Sequence, residues 1–209
     1  MARPPRRLLS REQIVATALE LIDADGLDEF STRKLAAALG VRGPSLYNYF
    51  ATKEDILHAV ANAVTENVDI SMLGRDEWTV ALRGWARSYR TALLAHPHIV
   101  PFLALGPGRR PAALAMADAV FGVLVDAGWP ASRATKIGAL MRYFVAGSAL
   151  GSFAMGFPTD PDVYGERYPH LGQAHLLTEH HRQVDEGAFE MGLSALIEGL
   201  RHEYERTVS

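Results

Sequence analysis

The sequence predicts an all-α protein, with an N-terminal three-helix unit built around a helix-turn-helix and a longer helical body behind it. Apolar residues recur at three- and four-residue intervals along most of the chain, and period-two alternation is absent. Serine or threonine precedes several of these runs and glycine follows them, the residues that start and stop helices. Two short runs, residues 32–39 and 43–50, are joined by a tight turn containing Gly40, the spacing of a helix-turn-helix.

The first helix is expected over residues 11–25. Ser10 and Gln13 form a capping-box pattern, Ile14, Ala18, Leu21 and Ile22 share one face, and Gly26 supplies the stop. Ser31 then opens residues 32–39. The second element of the motif, about residues 43–50, carries Pro44 in its first turn, where a missing N–H does no harm. A fourth helix begins at Thr52, with Asp55 as its capping partner, and runs through Ile56, Leu57, Val60, Ala61, Val64 and Val68. Its periodicity lapses around residues 71–75, which divides the chain into residues 1–74 and 75–209. The body then reads as helices over about residues 77–95, 98–104, 111–127, 130–155 and 184–206, with a proline-rich, acidic loop at 157–173.

A chain of 209 residues that is 48% hydrophobic and 22% charged can bury a core, which excludes disordered and fibrous classes. The absence of cysteine excludes disulfides and thiolate chemistry, and a cytoplasmic location follows most simply. The longest apolar stretch, residues 144–157, is interrupted by Gly147, Gly151 and Gly156 and falls short of the roughly 20 residues of a membrane span. Net charge is −3, yet residues 1–53 hold eight Lys or Arg against six Asp or Glu. A basic end on an acidic body suits a protein that offers one face to phosphates.

The segment 31–53, STRKLAAALGVRGPSLYNYFATK, resembles over its whole length the DNA-binding signature of the TetR (tetracycline repressor) family. Its apolar positions Leu35, Ala36, Leu39, Val41 and Leu46 lock two helices at a fixed angle, leaving polar residues for a major groove. Thr32 and Lys53, at two helix starts, are expected to hold phosphates, as is the Tyr47 hydroxyl. Asn48, Ser45 and Arg33 can reach base edges, and Pro44 can pack on a thymine methyl. By resemblance the candidate DNA contacts also include Arg42, Gly43 and Tyr49. Gly43 departs from the family's prototype, which has a polar base-reading side chain there. The arm residues Arg3, Arg6 and Arg7 are candidates for backbone or minor-groove contact, with a solvated tail as the alternative.

The resemblance extends to residues 78–96 and to 185–200, including DEGAFEMGL at 185–193. It implies a C-terminal ligand-binding and dimerisation domain whose last two long helices pair with those of a second subunit in a homodimer. Gly138, Ala146, Gly147, Ala149 and Gly151 offer a small-residue face, and Leu193, Leu196, Ile197 and Leu200 an apolar stripe, for that pairing or for the protomer's own core. The ligand candidates are Trp85, Tyr89, Phe102, Phe121, Gly138 and Arg142, an aromatic set with one cation. An ungapped match puts Asp69 and Trp85 where the prototype has a histidine and an asparagine for its drug and magnesium, so that site is not reproduced. His96, His98, His170, His175, His180 and His181 lack metal-ligand spacing and read as solvated loop residues; no metal or cofactor is expected. No nucleophile elbow, phosphate-binding lysine loop or H-E-x-x-H pattern is present, which argues against an enzyme. The expected partners are operator DNA and a small-molecule inducer, with no membrane. A ligand-independent DNA-bound interaction protein is the other reading.

Overall fold

A computed structural model describes residues 9–106 and 108–208; Arg3, Arg6 and Arg7 lie outside them. Helix α1 (Arg11–Asp25) starts where Ser10 accepts the Gln13 N–H at 3.2 Å, and it buries Ile14, Ala18 and Ile22. Helix α2 (Thr32–Ala38) is capped by Ser31, whose hydroxyl accepts the Lys34 N–H at 3.2 Å. Gly40 follows at φ +65, a left-handed conformation that glycine adopts without strain, and the chain reverses there.

The segment expected as a short helix over about residues 43–50 is a 3-10 helix, Gly43–Asn48. Pro44 has no N–H to give, and the bonds that form are tight ones: Ser45 N to Arg42 O at 2.9 Å and Tyr49 N to Leu46 O at 3.0 Å. Leu46 and Phe50 bury on either side of that turn, so core packing sets the segment's pitch. Helix α3 (Lys53–Glu66) has both halves of a capping box, Asp55 N to Thr52 Oγ1 at 3.0 Å and Thr52 N to Asp55 Oδ2 at 2.9 Å.

The body consists of α4 (Trp78–Ala95), the short α5 (Val100–Ala104), α6 (Pro111–Asp126), α7 (Ala131–Gly147) and α8 (His181–Val208). Among the described residues there is no strand, and no helix is long and apolar enough to cross a membrane. One hydrophobic core runs without a break from Ile14 through Val64 and Leu82 to Ile197, across the boundary expected near residue 74.

Two histidines expected in solvent fasten that junction. His96 Nδ1 lies 2.7 Å from Asp23 Oδ2, and His98 Nδ1 lies 3.0 Å from the Ile22 carbonyl, so both tie the body to the end of α1.

Helix α7 ends at Gly147 rather than Met155. Ser148 Oγ donates to the Val145 carbonyl at 2.8 Å, and glycines at 147 and 151 weaken continuation by about 1 kcal/mol each relative to alanine. The loop to α8 is pinned by single 3-10 turns and by buried Tyr164, whose hydroxyl donates to the Pro158 carbonyl at 2.7 Å.

The apolar stripe of α8 also differs from expectation. Leu193 and Ile197 are buried in the protomer's own core, and Leu196 and Leu200 pack against it. Gly138, Ala146 and Ala149 are buried too, which splits the expected small-residue face and leaves only Gly147 and Gly151 outside. The exposed face of α8 is instead Gly187, Met191, Ala195 and Gly199, and α7 exposes Leu140, Tyr143 and Gly147, with Leu150 just beyond its end. The two helices meet through Phe144, stacked on Phe189 at 5.3 Å and lying where a side chain at Gly192 would stand.

Candidate DNA interface and ligand cavity

The helix-turn-helix presents Arg33, Arg42, Pro44, Tyr47, Asn48 and Lys53 to solvent, with Thr32, Gly43 and Ser45 half-buried beside them. Tyr47 is 54% exposed, a large aromatic held out of the core by the burial of its neighbour Leu46. Among the described residues Arg33, Arg42 and Lys53 form no ion pair, so their charges are available to an external anion. Lys34, by contrast, is occupied: it bonds Asp25 at 3.1 Å and Glu29 at 3.4 Å, and the Asp25 hydrogen bond raises its pKa. Lys53 Nζ stands 5.5 Å from the Phe30 ring, which orients the ammonium at the start of α3.

Tyr49 departs from the expected role. Its hydroxyl donates to the Leu9 carbonyl at 2.5 Å and its carbonyl accepts from Arg11, whose guanidinium lies 4.1 Å above Phe50. It therefore holds the chain entering α1. The N–H of Thr52 is likewise taken by Asp55, and that of Asp55 by Thr52, which leaves the N–H groups of Lys53 and Glu54 outside the capping box at the start of α3.

Behind this unit lies a cavity of about 300 Å³ walled by α4, α6 and α7, with Leu103 of α5 and Thr65 of α3. Trp85 and Tyr89 stack at 5.8 Å along one wall. Phe121 reaches across from α6 to the backbone of Gly138, where a Cβ would sit 2.3 Å from its ring, so only glycine admits this approach. Arg142 enters from α7 and donates to the Leu103 carbonyl. Five of the six candidate residues thus line one space. Phe102 does not: its ring faces His58 at 5.1 Å on the other side of α5.

Sequence reasoning missed Arg110. It precedes Pro111 at the start of α6, donates to the Gly106 carbonyl, is 3% exposed, and lines both this cavity and a groove beneath the helix-turn-helix. Burial, followed by the like charge of Arg142, lowers its pKa, while Tyr89 acts in the opposite sense. The signal was the pair Arg109-Arg110 before Pro111, which puts a cation at the N-cap of a proline-started helix.

Residues 14–60 match the family model described as bacterial regulatory proteins, tetR family, and residues 71–204 match that of the tetracyclin repressor-like C-terminal domain. The class C tetracycline repressor protein of Escherichia coli is 36% identical over 203 residues, 92% of this chain and 90% of the relative. A possible TetR family transcriptional regulator from Streptomyces coelicolor A3(2) superposes with a TM-score of 0.76 at 33% identity, covering 92% of this chain and 99% of the other. The Streptomyces coelicolor protein ActR in complex with actinorhodin gives a TM-score of 0.75 at 26% identity, covering 94% and 98%.

Proposed function

This chain belongs to the tetR family of bacterial regulatory proteins, and we propose that it is a dimeric repressor released from a twofold operator when a flat aromatic ligand fills the cavity. It is a ligand-responsive, DNA-binding regulator of transcription and not an enzyme. One observation carries the release model. Helix α3 has Lys53 at the DNA-facing end and buried Thr65, a residue of the cavity wall, at the other. At 1.5 Å per residue these ends stand roughly 18 Å apart, so a tilt of about 5° at Thr65 moves Lys53 by roughly 1.6 Å. A ligand that displaces Thr65 therefore changes where both recognition segments sit on the two half-sites.

Dimerisation is supported by the unpartnered apolar face of Met191, Tyr143 and Leu150, which is 75%, 70% and 57% exposed at those residues. Small residues at 187, 195 and 199 let a second copy of α8 approach closely. At the operator, Arg33, Asn48 and Ser45 face base edges, while Thr32, Tyr47 and Lys53 hold phosphates.

The test is reciprocity. A ligand that weakens operator binding tenfold must itself bind the operator complex about tenfold less tightly, roughly 1.4 kcal/mol. Equal affinity for free and operator-bound protein refutes release, because such a ligand shifts no equilibrium.

A further inference from the structure

The groove beneath the helix-turn-helix, about 460 Å³, lies between Tyr49 and Ala51, the Asp55 and His58 face of α3, and Arg109 ahead of α6. The chain between α5 and α6 thus closes it from the side of the ligand-binding body. A Cβ at Gly108 would stand 3.6 Å from His58 Cε1, so this connection rests against α3 at the level of His58. Asn62 accepts the Ala112 N–H at 2.9 Å and fixes the start of α6 against the same helix. Of the two adjacent arginines, Arg110 turns inward and donates to the Gly106 carbonyl, whereas Arg109 is exposed. Arg109 forms no ion pair among the described residues. The nearby carboxylates are engaged elsewhere: Asp55 accepts the Thr52 N–H and hydroxyl at 2.9 Å each, and Glu54 faces His58 at 3.6 Å. An exposed guanidinium beside an occupied carboxylate is left to an external anion.

The reach of the side chain says which anion. His58 lies about 7.5 Å along α3 from Lys53 at 1.5 Å per residue, and an extended arginine spans about 6 Å from Cα to guanidinium. From beside His58, Arg109 therefore reaches back to the first turn of α3, where Ala51, Thr52 and Lys53 are exposed. We propose that Arg109 is a DNA contact supplied by the ligand-binding body, its guanidinium holding a backbone phosphate next to the one held by Lys53. This rests on the reading of Lys53 as a phosphate contact. Successive phosphates of one strand step about 3.4 Å along the duplex axis, so two cations that converge on one helix start hold neighbours. The planar guanidinium takes two oxygens of its phosphate at once, and the contact carries no base preference.

Fluorescence anisotropy through a chloride titration tests this on two labelled duplexes, one selected by the purified chain from a randomised pool and one of unrelated sequence. Arg109→Ala should weaken both by about threefold or more at low salt and lower the salt slope by about 0.9 for each bound protomer. Arg109→Lys should keep most of the slope, since the charge remains. Ethylation interference on the selected duplex should show a phosphate whose modification impairs the unmodified chain but not Arg109→Ala. Lys136→Ala, which removes an exposed cation beside Trp129 on α7, should leave the slope unchanged. An equal fall in Lys136→Ala assigns the effect to net charge and overturns the proposal. An unchanged slope in Arg109→Ala with a lowered one in Lys53→Ala overturns it while the reading of Lys53 stands. Unchanged slopes in both variants overturn that reading, and the proposal with it. Should Arg109→Ala fail to fold, Arg109→Gln takes its place in each measurement.

Discussion

Gly138→Ala isolates the cavity from the rest of the molecule. The new Cβ stands 2.3 Å from Phe121 Cε1 and 2.9 Å from Cδ1, so the ring must withdraw by about 1.1 Å to reach ordinary contact at 3.4 Å. Backbone on the α7 side cannot yield, whereas the space beyond the ring is the cavity itself, and Phe121 moves into it. Two energies nearly offset. Alanine in a helix interior gains about 1 kcal/mol over glycine, and overpacking costs about 1–3 kcal/mol. The folded state should therefore lose no more than about 2 kcal/mol, a fall in Tm of roughly 4–8 °C at most for a chain this size. Ligand affinity should drop by about tenfold or more, since a site of about 300 Å³ has little room for a displaced ring. Operator affinity, set by the helix-turn-helix and not by the cavity wall, should stay within about threefold of the unmodified chain. Thermal melting, titration with the inducer and fluorescence anisotropy on labelled operator read the three quantities. If Gly138→Ala keeps full ligand affinity while folded, the ligand does not occupy this cavity.

Lys53→Ala should weaken binding to all DNA alike and lower the salt slope by about 0.9, whereas Asn48→Ala should alter base preference; the reverse pattern in salt titrations and operator selection refutes that division. Tyr49→Phe removes the hydroxyl that holds the Leu9 carbonyl and should cost about 1 kcal/mol of stability by denaturant titration, with little change in operator preference. Met191→Glu places a charge on the exposed α8 face and should yield monomers in analytical ultracentrifugation that lose cooperative operator binding; an unchanged dimer refutes that face as the interface. Glu190 bonds Arg87 at 2.8 Å and 2.7 Å, and that pairing lowers its pKa below the ordinary 4.5. Its contribution is therefore present above about pH 4.5 and lost as pH falls through the depressed folded value. At the surface it is worth at most about 1 kcal/mol. Glu190→Gln should flatten the acid side of the stability profile below about pH 4.5 and leave the alkaline side unchanged.

Local chemistry carried most of the fold. Capping residues and glycine stops lie within a few positions of the events they encode, which is why α1, the start of α2 and the start of α3 were legible from Ser10, Ser31 and Thr52 alone. The solvent-facing residues of the helix-turn-helix were legible for the same reason: a surface turn bounded by buried Leu46 and Phe50 must turn its other side chains outward. Tertiary structure decided what periodicity cannot. Leu193 and Ile197 form an apolar stripe in sequence, but whether a stripe faces its own chain or a second copy depends on which neighbour arrives first, here α4 and α7. Phe102 faces away from the cavity because α5 is a single short helix, and its rotation, set by its packing and not by its composition, decides which of Phe102 and Leu103 lines it. His96 and His98 read as loop residues until the end of α1 brings Asp23 and the Ile22 carbonyl to them across more than 70 positions of sequence. Residues near in sequence share one set of backbone hydrogen bonds, and those bonds are encoded locally. Residues that meet only through packing are set by the sum of many weak contacts, and a sequence pattern read one helix at a time does not contain that sum.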